Sequence, residues 1–392
     1  MIYNFNDPIN RKNTNSVKYD LAYPIYGTND LQQMWIADMD FKTPDFILKA
    51  IEERAKHPVL GYTFHSDTFY DSIVQWMKTR HQWEIQREWI HFAPGIVAGL
   101  SILIQAFTEV NDKVLIFTPV YNPFYNVVQN QDRSLVLSPL IYENETYHID
   151  FEDLEKRLKD NVKIVIFCNP HNPVCRCWTP DELRKSGELC LQYGTLLISD
   201  EIHADLIMPG FKHTPFASLS PEIAANTITC MAPSKSFNMA GLSTSEVIIS
   251  NPKLGKRYAE FVMDRLHVEM GNIFGDVALE AAYTHGADWM NQLNEYIFEN
   301  VNFAKSFIAE KMPFVKTIKH EATYLSWMDF SDLPMSHDEL WQKTIQDARI
   351  ALNDGRIYGK EGEKFLRMNL ACPKNDVETA LLKLERAFED YK

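Results

Sequence analysis

Lys235 stands in TCMAPSKSFNMAGL (229–242), among small residues, hydroxyls and a glycine rather than the charged, wet neighbours a lysine prefers. An amine held in such a pocket loses its proton more readily and becomes a candidate nucleophile toward a carbonyl. Asp200, in LLISDEIHADL (196–206), ends an apolar run where an unpaired carboxylate would be costly, and a cationic partner would offset that cost. The stretch APGIVAGLSILIQAF (93–107) opens a helix. There Gly95, Ile96 and Val97 would offer free backbone N–H groups at the positive helix end, an anion site that needs no side chain.

An amine, a carboxylate and an anion cradle are what pyridoxal phosphate asks of a protein: a lysine for the imine, a carboxylate to keep the ring nitrogen protonated, and a seat for the phosphate. Taken singly, the three have plainer readings as a surface lysine, a helix N-cap and an ordinary loop-to-helix start. Their order and their position after strands make the combination far more specific.

The elements that must position them are legible. VLIFTPVYNP (114–123), KIVIFCNPHNP (163–173), TLLISDEIH (195–203), TITCMAPSKS (227–236) and EVIISNP (246–252) are short apolar runs ending in Pro, Asn, Asp or Ser. Uninterrupted apolar strands of this kind are expected in a parallel sheet covered on both faces. Between two of them TPDELRKSGELCLQYG (179–194) predicts a helix, with Thr179 as N-cap, Pro180 at the first position, Glu182 completing a capping box and Gly194 as the stop. Strand, helix, strand order predicts an α/β domain whose ligands bind at the carboxyl ends of the strands, here marked by Tyr121, Asn172, Asp200, His203 and Lys235.

Farther along, TYLSWMDF (323–330) alternates like a half-buried strand, SHDELWQKTIQDARI (336–350) opens with a capping box from Ser336 and Glu339, and FLRMNLACP (365–373) reads as another strand. These predict a smaller α+β domain over 286–392, joined by an N-terminal segment, 1–48, beside a large domain over 49–285.

The chain of 392 residues is 45% hydrophobic and 23% charged, with a formal net charge of -14, which suits a globular protein and disfavours nucleic acid and anionic lipid as partners. The opening MIYNFNDPINRKNTNSVKYD lacks the apolar core of a signal peptide, and a cytoplasmic location is expected. Six cysteines are sparse, with Cys168, Cys190 and Cys230 in apolar stretches, so no disulfide framework is implied. Cys175 and Cys177, near His171, lack the second ligand pair a structural zinc site uses, and no metal is expected there.

NPHNPV followed by Arg-x-Trp, then SDEIHADL, then APSKSFNMAGL, resembles in that order the fold-type I pyridoxal-phosphate enzymes of the aspartate aminotransferase superfamily. WIADMDFKTP (35–44), PVYNPF (119–124) and RMNLACP (367–373) are similar to the branch typified by MalY, PatB and cystalysin, the C–S lyases. The resemblance spans nearly the whole chain. It implies a large, mostly parallel sheet covered by helices, with a smaller α+β domain, and pyridoxal phosphate carried by Lys235. Asp200 would pair with the ring nitrogen, Asn172 and His203 would lie near the ring hydroxyl, and Tyr121 would stack on the ring. Ile96, Val97 and Ser234 would hold the phosphate, joined by Tyr62 of the partner subunit in a homodimer. Arg367 would grip the carboxylate of an amino-acid substrate.

Two positions depart from the family pattern. Ser243 stands eight residues after the lysine, where many aminotransferases of this fold place a basic phosphate ligand, which favours a lyase. Cys175 replaces a glycine, and would add strain if that glycine served a positive φ. The resemblance thus implies β-elimination from a cysteine-type substrate. Transamination, which shares every step up to loss of the Cα proton, and a regulatory, partner-binding role are the alternatives.

Overall fold

The computed structural model describes residues 2–268 and 270–391. Its larger sheet has seven strands: β1 (Ile90–Ala93), β2 (Lys113–Thr118), β3 (Ser134–Pro139), β4 (Val162–Cys168), β5 (Leu196–Asp200), β6 (Thr227–Met231) and β7 (Ser245–Ile248). Their order is β1-β7-β6-β5-β4-β2-β3. From β6 to β3 every pair is parallel. Helices α1 (Ile96–Phe107) and α2 (Pro180–Gln192) follow strands in the expected way, and α2 carries the full Thr179–Glu182 capping box.

The run EVIISNP departs from the expected direction. As β7 it is antiparallel to both β6 and β1. An apolar run records burial on two faces but not the sense of the chain, and β7 is buried throughout, as a central parallel strand would be. The connection through residues 232–244 stays at the carboxyl end of β6 and turns back without crossing the sheet. That return is what carries Lys235 over the strand ends.

After the 25-residue helix α3 (Ala287–Lys311), a second sheet of four strands forms from β8 (Lys316–Thr317), β9 (Leu325–Asp329), β10 (Asn353–Asp354) and β11 (Phe365–Asn369), in the order β8-β9-β11-β10. Helix α4 (His337–Gln346) starts with the predicted Ser336–Glu339 capping box. β9 is buried on both faces instead of one. Trp327 joins the apolar core that contains Phe117, Phe167 and Trp178, while Leu325 and Met328 belong to the other core. The alternation of polar and apolar residues in TYLSWMDF therefore does not mark a solvent face. The N-terminal segment is bound into this region: Gln32–Gln33 pairs in parallel with Ile350–Ala351, and the Asn369 N–H donates to the Met34 carbonyl at 2.8 Å.

Candidate active site

The carboxyl ends of β2, β4, β5 and β6 and the start of α1 enclose a cavity of about 210 Å³. Ile96, Val97, Tyr121, Asn172, Asp200, His203, Ser234 and Lys235 all line it. Parallel strands deliver these side chains to one edge because each loop leaving a carboxyl end opens on the same side of the sheet.

Lys235 Nζ donates to the Ala37 carbonyl at 2.6 Å. The side chain reaches the cavity and is half-buried, yet the walls desolvate the amine enough to lower its pKa to about 8. Asp200 is buried at the end of β5, with Oδ1 accepting from the Ile202 N–H at 3.1 Å. Burial pushes its carboxyl up to about 7. His203 is buried beside it, lowered to about 3 by desolvation first and then by the nearby Lys235 and Arg367 cations, and its Nδ1 has no partner.

Helix α1 begins at Gly95 with no side-chain cap. The expectation of three free N–H groups there needs correction, because Gly95, at φ 93, donates its own N–H to the Ala93 carbonyl at 2.8 Å. The tight turn consumes that donor and leaves those of Ile96 and Val97 as the cradle. Ser243 and Thr244 complete the wall beside Ser234.

Arg367 lies on β11, buried, just behind Asn172. It donates to Asn172 Oδ1 at 3.0 Å, to the Trp35 carbonyl at 2.9 Å and to Asn353 Oδ1 at 2.6 Å, and its Nε is buried without a partner. Tyr62 is not among the residues lining the cavity; it is 98% exposed. Ala37, Tyr324 and Asn353 were not anticipated. The first acts through a main-chain carbonyl, which leaves no trace in residue type, and Tyr324 Oη donates to that same carbonyl at 3.0 Å.

Cys175 adopts φ 56, so the strain expected of a side chain at the family's glycine position is present. Its thiol is fully buried and donates to the Leu325 carbonyl at 2.8 Å, while its own carbonyl accepts from Glu321 and Ala322. His171 Nε2 meets the Pro119 carbonyl at 3.0 Å. Among the described residues no group of three or more His, Cys, Asp or Glu is arranged to hold a metal.

The profile of the class I and II aminotransferases matches residues 30–384. The chain belongs to that family. Within it, the chain is 43% identical to cystathionine beta-lyase PatB of Bacillus subtilis over 98% of its own length and 99% of the relative's. Among solved structures it is similar to cystalysin from Treponema denticola, which contains pyridoxal 5′-phosphate, at 38% identity and a TM-score of 0.95 with both chains fully covered. A pyridoxal-phosphate-bound protein of Clostridium difficile 630, provisionally named an aminotransferase, has 44% identity and a TM-score of 0.96 over 98% of this chain and all of that one.

The cavity fits the cofactor these neighbours contain. Asp200 is a buried carboxyl that a ring cation would stabilise, α1 presents uncapped N–H groups to an anion, and His203 Nδ1 is an unpartnered polar atom on the wall.

Proposed function

We propose that the protein is a pyridoxal-phosphate-dependent C–S β-lyase that converts a cysteine-type amino acid bearing sulfur at Cβ into pyruvate, ammonia and a thiol. The observation that carries this reading is the meeting of the lowered amine of Lys235 and the raised carboxyl of Asp200 in one small cavity, in a chain so similar to a cystathionine beta-lyase. Members of enzyme active sites whose environments push their pKa values in this way are suited to proton transfer near neutral pH.

When bound, pyridoxal phosphate supplies a carbonyl that holds the substrate's amino group and a ring that takes up the electron pair left at Cα. The protein supplies the rest. Arg367 offers its guanidinium edge to the substrate carboxylate, a planar two-pronged match that an ammonium cannot make. Lys235, with its lone pair available near neutral pH, takes the Cα proton. Asp200 would keep a proton on the ring nitrogen, and Tyr121 would cover the ring face. Asn172 and His203 would face the ring hydroxyl, while the Ile96 and Val97 amides with Ser234 would hold the phosphate. Departure of the sulfur leaves an enamine that water converts to pyruvate and ammonia.

The active form we propose is a homodimer. Val59, Leu60, Tyr62 and Phe64 form an exposed apolar run, from 60% to 98% exposed, that a second copy would cover, with Tyr62 reaching the partner's phosphate seat. A cytoplasmic location is supported by six cysteines that are all free and buried. Among the described residues no helix is long and apolar enough to cross a membrane.

The test is incubation with cystathionine or cysteine without any keto acid. Elimination returns the cofactor as the aldehyde each cycle, so pyruvate, ammonia and thiol should accumulate over many turnovers. Transamination would stop after one. No sustained pyruvate, with rapid turnover of an aromatic or acidic amino acid plus 2-oxoglutarate, would establish an aminotransferase instead.

A further inference from the structure

The carbonyls of residues 34 to 38 are divided between two destinations. The Met34 carbonyl accepts from the Asn369 N–H at 2.8 Å, and that of Trp35 from Arg367 at 2.9 Å. Asn369 Nδ2 donates to both the Ile36 and the Asp38 carbonyls, each at 2.6 Å. The Ala37 carbonyl between them instead receives Lys235 Nζ at 2.6 Å and Tyr324 Oη at 3.0 Å. One strand, β11, thus holds four carbonyls and leaves the fifth to the lysine.

We propose that Asn369 is a positioning residue: by clasping the carbonyls on either side of Ala37, it aims the Ala37 carbonyl at Lys235 and so fixes the ε-amine whenever that amine is not bonded to cofactor. Asn369 is buried, and its Oδ1 accepts from the Ala371 N–H at 2.8 Å, so its amide group is held at both ends and cannot drift. It stands two residues from Arg367, on the same face of the strand. The element that would grip the substrate carboxylate therefore also sets where the amine lies when it is free of cofactor. Without the clasp, the part-buried Ile36 and Asp38 carbonyls lose their Nδ2 donor, and the segment turns until they find others. The Ala37 carbonyl turns with them.

The importance of this arrangement rests on Lys235 being the cofactor-bearing base, but its test does not depend on lyase chemistry. The titration of the Lys235 amine is measured on full-length protein freed of cofactor, by pulsed reductive methylation across pH, quantified on the Lys235 peptide. An ammonium that donates to a carbonyl keeps its proton to higher pH. Asn369→Ala should therefore lower the pH of half-modification by roughly one unit, as expected for loss of one hydrogen bond to a charged group. Asn369→Ser, which keeps a single shorter donor, should shift it in the same direction by a smaller amount and decides the matter if the alanine variant does not fold.

Tyr324→Phe removes the other donor to the Ala37 carbonyl and leaves the clasp intact, so half-modification should stay where it is or rise. Wild-type titration in the folded Asn369 variants overturns the proposal. So does a fall in Tyr324→Phe as large as theirs, because damage anywhere near the carbonyl would then suffice. Failure of the lyase assay with the expected lysine shifts would discard the reaction and keep the clasp.

Discussion

Arg367 and Asn172, 195 residues apart in sequence, are joined by a 3.0 Å hydrogen bond between the guanidinium and Oδ1, with both side chains buried. The bond ties β11 to the loop after β4, so the residue proposed to grip the substrate carboxylate is oriented by one proposed to touch the cofactor. Trp35 and Asn353 take two further donors, and Nε remains unpartnered.

Arg367→Lys retains the charge and loses the fork, so it should raise KM and reduce kcat/KM by roughly 10- to 100-fold, the worth of one or two hydrogen bonds to a charged group. Steady-state kinetics with cystathionine checks this. Unchanged KM would remove Arg367 from the substrate site.

Part of the site was legible because several predicted residues follow an apolar strand or open a helix, and a parallel sheet sends such positions to one edge. Lys235, Asp200 and the start of α1 are of this kind. Arg367, inside β11, and Tyr62, outside the cavity, came only from the resemblance. The direction of β7 was not legible, since burial on two faces looks the same in either sense. Nor was the Ala37 carbonyl, because a main-chain group has no residue type, or the engaged Gly95 N–H, which depends on a turn. Asn369 lies within RMNLACP, but the two carbonyls its side chain meets belong to a segment more than 300 residues away, and local pattern does not reach that far. Tyr62 does not line the cavity of its own chain.

Cys175 sits at φ 56, in the left-handed region. Relief of a left-handed side chain is worth roughly 1–2 kcal/mol. Cys175→Gly should gain that and lose the buried thiol and its bond to Leu325, a contribution of similar size, leaving stability within about 1 kcal/mol of wild type. Cys175→Val puts a β-branched residue at the same φ and should destabilise by more than about 2 kcal/mol. Urea titrations compare them; equal stability of the two variants would mean that the backbone there is not left-handed in solution.

Tyr62 should contribute to cofactor binding only across the dimer. Tyr62→Phe removes one hydrogen bond to a charged phosphate and should weaken cofactor retention by about tenfold or more, with the dimer intact by light scattering. Dilution of the wild type to monomers should weaken retention as well. A monomer that keeps its cofactor fully would contradict the assignment.

Asp200 gives a prediction whose direction changes with the cofactor. In the cofactor-free protein burial holds its carboxyl at about 7, against 3.8 ordinarily. Between those values the folded protein keeps a proton that the unfolded chain has released, so stability falls as pH rises through this window. Above it both forms are ionised and the deficit stays constant, at most about 4 kcal/mol. Asp200→Asn removes the deficit. The cofactor-free variant should therefore match wild type near pH 4 and melt several degrees higher at pH 8. Glu246, raised to about 8 by its own burial, is present in both proteins and cancels from the difference. Adding pyridoxal phosphate at pH 8 should reverse the order, because only the carboxylate gains a cationic partner at the ring nitrogen, and turnover of the variant should be lower by roughly 10²-fold or more. A melting difference that does not grow between pH 4 and 8 would show that Asp200 is not a desolvated acid, and near-normal turnover of the variant would remove it from the ring nitrogen.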